Sequence, residues 1–415
     1  MRLSIIICVY NTPVRYLEEA LRSITRSTLK RIEGDYEICM LDDGSDKDFD
    51  YAALALKYGA KYKRTENGGI LTARKNGAKM ATGEYAIFFD SDDTVSFNYH
   101  LPMLETAEKS GADVVINGWG ANTERAKYYP KRDTTMRRDH HSLLGDAILK
   151  EFLSNEGRQH SYYVLWNKLF KTELLLKAFS EVIDHGISGC TSYSEDAALC
   201  FFAFKRAKML EFINTGFYLY RIHQSQTSGS TSELGLRSQI DGMSATLDMM
   251  REGIKGRADE EELSAYIDGW IGLMSRSHYS VAKGAGYYDL FPYIKKKYGV
   301  EKLSFSTYKD GSAYEAKILL GDNFNEVEEI LYSISVSEHS FRVKYSQSSP
   351  YIETSIKELS RYGKISESAD NPIIVIPKYK IPLKKRIIYN AYVYRLGLIF
   401  FKKGSWARNF LKRFL

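Results

Sequence analysis

Asp90, Asp92 and Asp93 put three carboxylates within four positions, directly after the apolar run Ile87-Phe88-Phe89. Like charges this close repel, so they need open water or a cation between them. Hard carboxylate oxygens suit Mg²⁺ or Mn²⁺, and an ion held by one or two carboxylates completes its shell with phosphate oxygens. An Asp-x-Asp pair is a weak motif alone, because Asp is also common in solvated turns. Here it has company: Asp42-Asp43 ends a second apolar run, and Tyr10-Asn11 ends a third. An aromatic ring, two acidic clusters and room for a cation describe a site for a nucleoside diphosphate derivative.

The elements that must position these residues are legible as periodicities. Residues 3–9 (LSIIICV), 36–41 (YEICML) and 83–89 (GEYAIFF) are continuous apolar runs rich in β-branched and aromatic residues, the pattern of strands buried on both faces. Leu17, Leu21 and Ile24 recur at helical spacing after Thr12-Pro13, a cap and first-turn pair. A short strand near 60–64 leads into a glycine-containing turn and a helix at ENGGILTARKNGAKMA, and ADVVING (112–118) is a further strand. Alternating strands and helices predict a mostly parallel sheet covered on both faces, with ligands beyond the carboxyl ends of its strands. Residues 236–285 are helical in period, and 300–376 carry weak mixed signals.

Bulk composition is that of a soluble, core-forming chain of 415 residues with 44% hydrophobic and 27% charged side chains. Its charge is unevenly placed: residues 377–415 hold eleven Lys or Arg and no acid, leaving the other 376 at −5 against a total of +6. The four cysteines, Cys8, Cys39, Cys190 and Cys200, have no metal-like spacing and point to a reducing compartment. No signal peptide is expected from the first residues, and no apolar run approaches the roughly 20 residues that a membrane-spanning helix needs.

The blocks SIIICVYN, LDDGSDKD, NGGILTARKNGAKMATGEYAIFFDSDD, VLWNKLFK, SEDAALCFFAF and YLYRIHQSQTS stand in the order seen in family 2 glycosyltransferases. Over residues 1–228 the chain resembles that family. The resemblance implies a GT-A fold, an α/β catalytic domain with a Rossmann-like, mostly parallel sheet. A helical to mixed region (229–376) and a basic amphipathic tail (377–415) follow it. The activity implied is inverting, metal-dependent transfer from a UDP-sugar to a glycan or lipid-linked oligosaccharide, in bacterial surface polysaccharide synthesis.

Carried over by position, Tyr10 is similar to the residue that stacks on uracil, and Asp43 to the one that accepts from uracil N3–H, with Asp42 beside it. Asp90 resembles the residue that meets ribose and metal, and Asp92 the metal ligand on the pyrophosphate, with Mn²⁺ or Mg²⁺ as cofactor. Asp93 reads as a structural cap. Asp196 stands where the family has its general base, which an attacking sugar hydroxyl requires; Ser194, Glu195 and Asp196 also read as an ordinary helix N-terminus. Arg221 and His223 resemble a flexible loop that closes over the pyrophosphate, with His223 a third metal ligand. Trp166, Asn167 and Lys168, together with Glu195, are assigned to the donor or acceptor pocket, although Trp166 reads equally as a core anchor. Cys8 replaces a common Pro, and Lys75 replaces the Asn of the usual ARN, whereas Arg74 keeps its place as a donor-binding residue.

Two other function classes are weaker. A dinucleotide-dependent oxidoreductase is excluded by YNTPVRY, which lacks the G-x-G-x-x-G turn. Nucleic-acid binding through the tail conflicts with the acidic body and the tail's high apolar content, so no nucleic-acid partner is expected; an inactive sugar-nucleotide-binding protein is the remaining alternative. With Trp406 at zero and about 100° per residue, Ala407, Phe410, Leu411, Phe414 and Leu415 fall on one half of a wheel. Arg408, Asn409, Lys412 and Arg413 fall on the other. That predicts a helix lying on an anionic membrane surface at the cytoplasmic face.

Overall fold

The computed structural model describes residues 1–46, 48–123, 126–129, 141–155, 160–185, 194–222, 232–287 and 289–300, and four short strands between 331 and 377. The chain divides into two compact units, Met1–Met274 and Ser275–Leu415.

In the first unit strands and helices alternate as the periodicities require. In chain order they are β1 (Leu3–Val9), α1 (Val14–Thr25), β2 (Tyr36–Asp42), α2 (Tyr51–Lys57), β3 (Lys61–Arg64), α3 (Ile70–Met80) and β4 (Tyr85–Asp90). There follow β5 (Thr94–Val95), α4 (His100–Ser110), β6 (Val114–Thr123), β7 (Ala126–Tyr129), β8 (His141–Leu144), α5 (Asp146–Ser154) and α6 (His160–Tyr163). The unit continues with β9 (Lys168–Lys171), α7 (Thr172–Asp184), α8 (Glu195–Arg206), β10 (Met209–Ile222) and α9 (Glu233–Ile254).

One sheet runs β3-β2-β1-β4-β9-β6-β10-β5, with β7 and β8 added at β6 and β10. Its β3-β2-β1-β4 half is parallel, and β9 joins it antiparallel to β4 and β6. The core contains Leu3, Ile5, Ile7, Met40, Ile87 and Phe89, so the apolar runs in the sequence are strands with both faces covered. Helix α3 approaches β1 closely through Gly77, where a β-carbon would sit 2.6 Å from Ile6 Cγ2.

Register decides where the acidic residues go. Val9 pairs with Asp42, and Cys8 pairs with Asp90, so β1, β2 and β4 all end at one level on one edge of the sheet. The convergence expected from the sequence is present. Burial pushes the Cys8 thiol up to about 12, which keeps it neutral beneath this edge.

Helix α10 (Glu260–Ala285) runs from the first unit into the second, which adds α11 (Leu290–Tyr298) and an antiparallel sheet. The strands of that sheet are β11 (Leu331–Val336), β12 (Ser340–Tyr345), β13 (Lys364–Ser366) and β14 (Ile373–Pro377), in the order β11-β12-β14-β13. The basic tail beyond Pro377 lies outside the described residues. Among the described residues, no helix is long and apolar enough to cross a membrane.

Candidate active site

The carboxyl edge of the parallel strands is built from three loops tied together by short polar contacts. After β1, Asn11 takes a left-handed backbone (φ 50°); its N–H donates to Ser45 Oγ at 3.0 Å and its Oδ1 accepts from Asp46 N–H at 2.8 Å. Thr12 Oγ1 and Ser91 Oγ lie 2.6 Å apart, joining the β1 loop to the acidic loop after β4. Tyr10, which precedes this turn, remains 55% exposed, an aromatic side chain left open at the edge.

The Asp42-Asp43 pair splits its work. Asp42 is fully enclosed: Oδ1 accepts from Ser45 N–H at 2.9 Å and Oδ2 from Tyr62 OH at 2.8 Å. Its oxygens are thus engaged by the Ser45 turn on one side and by Tyr62 of β3 on the other. Asp43 Oδ1 accepts from Gly68 N–H at 3.0 Å and holds the glycine turn before α3. Burial raises its pKa, opposed by the backbone donors of Gly68 and Gly69.

Arg74 forms the centre of the site. On α3 it is nearly enclosed, and it donates to Glu195 at 2.8 Å and to Asp196, while Asp90 lies 3.4 Å away. One guanidinium therefore joins the end of β4 to the start of α8. Burial opposes its charge, but Asp196, Glu195 and Asp90 outweigh that and hold it protonated. One cation does not fully satisfy three acids. Burial, then the charge of Asp196, pushes Glu195 up to about 7. Burial also pushes Asp90 up to about 6 against the pull of Arg74. Arg74, read from the sequence as a donor-binding residue, has its guanidinium engaged by the protein's own acids.

Asp196 sits in the first turn of α8, as an ordinary helix start would have it, and its side chain is 19% exposed. Its Oδ1 takes the Arg74 bond, and its Oδ2 accepts from Leu165 N–H at 3.3 Å. The preceding Ser194 has φ 69°, and its hydroxyl meets Thr246 Oγ1 of α9 at 2.9 Å. Asn11 and Ser194 are the non-glycine residues with positive φ among those described, and both border this site. Backbone strain of this kind concentrates at functional sites.

The acidic loop separates its three members. Asp90 (31% side-chain exposure) and Asp92 are half-buried, whereas Asp93 is enclosed and accepts from Arg221 N–H at 2.6 Å. Burial, then the charges of Asp92 and Asp90, pushes Asp93 well above the usual carboxylate range. Asp90 and Asp92 are hard oxygen donors two positions apart, which fits a divalent ion completed by diphosphate oxygens. Among the described residues no three His, Cys, Asp or Glu side chains form a ready-made metal cage. The expected third ligand, His223, lies outside the described residues.

Two expectations change. Arg221 is on β10, not on a loop: its Nε donates to the Asp92 carbonyl at 2.6 Å, its Nη2 to Glu19 at 2.6 Å, and it lies 4.5 Å over Tyr16. It braces the acidic loop through the Asp92 carbonyl. Trp166, Asn167 and Lys168 are buried and do not line an open pocket. Trp166 stacks on Tyr218 at 4.4 Å, and the Tyr218 hydroxyl accepts from Asp90 N–H at 3.0 Å. Tyr218 and the Leu165 N–H were missed from sequence; the aromatic and apolar run in GFYLYRI marks the strand, but nothing local marks its partners.

The family model described as "Glycosyl transferase family 2" matches residues 4–198. "Uncharacterized glycosyltransferase EpsJ" of Bacillus subtilis is 28% identical over 242 residues, covering 57% of this chain and 65% of the relative. The chain thus matches a little under two thirds of that relative's length. "Poly(ribitol-phosphate) beta-glucosyltransferase" of Bacillus spizizenii is 34% identical over 124 residues, covering 28% of this chain and 19% of the relative. The crystal structure of S. aureus TarS 1-349 in complex with UDP-GlcNAc is 15% identical with a TM-score of 0.50, covering 84% of this chain and 98% of that one. At that identity the likeness speaks for the GT-A fold alone. Over residues 4–198, a little under half of its length, this chain is similar to glycosyl transferase family 2.

Proposed function

We propose that the chain transfers a sugar from a UDP-sugar to a hydroxyl of a glycan, with inversion at the anomeric carbon, in the synthesis of a bacterial surface polysaccharide. The observation that carries this reading is the placement of Asp196. It stands at a helix start, part-exposed, joined through Arg74 to Asp90 at the edge where three strands end. The TarS complex with UDP-GlcNAc, a structure of like fold, supports a UDP-sugar donor.

In this reading Tyr10 stacks on the uracil, Asp43 accepts its N3–H, and Asp90 meets the ribose. Asp90 and Asp92, with His223, hold Mn²⁺ or Mg²⁺. A divalent ion there supplies charge neutralisation for the departing diphosphate. The acceptor oxygen attacks the anomeric carbon, the bond to UDP breaks, and the hydroxyl proton passes to Asp196. A carboxylate oxygen that already accepts one hydrogen bond keeps a lone pair for this purpose. A single displacement inverts the centre.

The acceptor is lipid-linked in this reading, and residues 377–415 bring the enzyme to the cytoplasmic face of the membrane as a peripheral protein. Support comes from the tail's eleven basic residues and its two-sided wheel.

Release of UDP from a panel of UDP-sugars, with Mn²⁺ and with excess EDTA, tests the whole. Turnover of one UDP-sugar that EDTA abolishes and Asp196→Asn removes is the expected result. Equal affinity for UDP and GDP, or full activity in EDTA, overturns it.

A further inference from the structure

Lys168 is an unusual residue to find fully enclosed, since a buried ammonium is costly unless oxygens surround it. Its Nζ donates to the carbonyls of Ser161, at 2.5 Å, and Val164, and to Asn167 Oδ1 at 2.8 Å. The Lys168 N–H closes a turn onto the Leu165 carbonyl at 3.1 Å. Asn167 Nδ2 also donates to the Ser161 carbonyl at 3.3 Å, and the Asn117 N–H donates to the Asn167 carbonyl at 3.1 Å. The segment from Ser161 to Lys168 is therefore wrapped around one buried cation and pinned to β6.

This segment reaches both acidic ends of the site. Its Leu165 N–H donates to Asp196 Oδ2, and its Trp166 ring stacks on Tyr218, whose hydroxyl accepts from Asp90 N–H. We infer that the Val164–Lys168 turn is a positioning device which sets Asp196 relative to Asp90, with Lys168 as its anchor. The inference rests on the reading of Asp196 as the base. Arg74 supplies charge to Asp196 from one side, and the turn fixes its other oxygen, so rotation of the carboxylate is blocked from both directions. Lys168 touches neither donor nor acceptor. A rigid second support matters because misplacing a reacting group by about 1 Å costs on the order of 100-fold in rate.

Lys168→Met keeps the aliphatic stem and removes the ammonium; replacing Leu165 with its α-hydroxy acid removes only the N–H. Both are tested in the full chain with Mn²⁺ and the UDP-sugar it turns over, alongside calorimetric UDP affinity and thermal melting. Each is expected to lower kcat by roughly 10- to 100-fold with UDP affinity within about twofold of wild type. A chain carrying both changes should lose no more than the worse single one, because they break one path. A folded Lys168→Met chain with unchanged kcat overturns the inference, and so do losses that multiply in the double variant, the mark of two merely structural lesions. Should Lys168→Met fail to fold, the hydroxy-acid chain decides alone, and its keeping wild-type kcat is the refuting result. Asp196→Asn separates the two ideas: if it transfers sugar at the wild-type rate, the base reading fails, whereas if only the turn variants are silent, the positioning inference fails.

Discussion

Arg74→Met removes the one cation shared by Asp90, Glu195 and Asp196 while keeping much of the side chain's bulk. Breaking a buried pair by deleting one partner costs about 3–5 kcal/mol, because the remaining charge is left enclosed. Glu195 and Arg74 are both nearly enclosed, so that range applies near pH 8, where Glu195 and Asp90 are ionised in the wild type. The loss should shrink in acid. Glu195 has a folded pKa of about 7 against an ordinary 4.5, and Asp90 about 6 against 3.8. Groups raised in the folded state contribute stability that is present below their ordinary values and lost as pH rises through the folded ones. Removing Arg74 raises them further and steepens that decline. At pH 5 Glu195 and Asp90 are largely protonated in both proteins, and the cost should fall to about 1–2 kcal/mol for Asp196's lost partner. Denaturant titrations at pH 5 and pH 8 check this through the fluorescence of Trp119, Trp166 and Trp270, which all lie in the Met1–Met274 unit. A penalty equal at both pH values, or greater at pH 5, refutes the view that Arg74 neutralises this cluster.

Asp196→Asn should keep UDP affinity and lower transfer by about 10²–10⁴, measured as UDP release with acceptor present. Asp43→Ala should weaken UDP binding in calorimetry, and Tyr10→Ala should cost about 1–3 kcal/mol there through lost stacking on the base. Asp92→Asn should abolish the Mn²⁺ dependence of turnover. Deleting residues 377–415 should release the protein from anionic liposomes in cosedimentation, and high salt should weaken binding of the full chain, each engaged basic residue contributing about 1 kcal/mol.

Much of the sheet could be read from the sequence because strands buried on both faces leave continuous apolar runs. β1, β2 and β4 are such strands, and their ends carry Tyr10, Asp43 and Asp90. The aromatic and apolar run Phe217–Ile222 is also a strand pattern, yet Arg221 was read as loop because its neighbours resemble one. Pairings were not legible. Arg74 and Asp196 lie 122 residues apart, and only the tertiary fold brings α3 and the start of α8 within reach of each other. Lys168 misled for a different reason: lysine is almost always exposed, and a ring of carbonyls around an ammonium leaves no trace in side-chain types.

Helix α9 carries a consequence for where the working enzyme can be cut. Thr246 of α9 meets the hydroxyl of Ser194, the strained residue two before Asp196, and Gly253 lets the Phe201 ring of α8 approach so closely that a β-carbon would sit 2.5 Å from it. The family match ends at residue 198, partway along α8. A fragment stopped at residue 228 would bare the apolar side of α8 and free Ser194 from its contact with Thr246. A fragment that keeps these contacts has to include α9 through Ile254, and an insertion or proteolytic nick in α9 would disturb the start of α8.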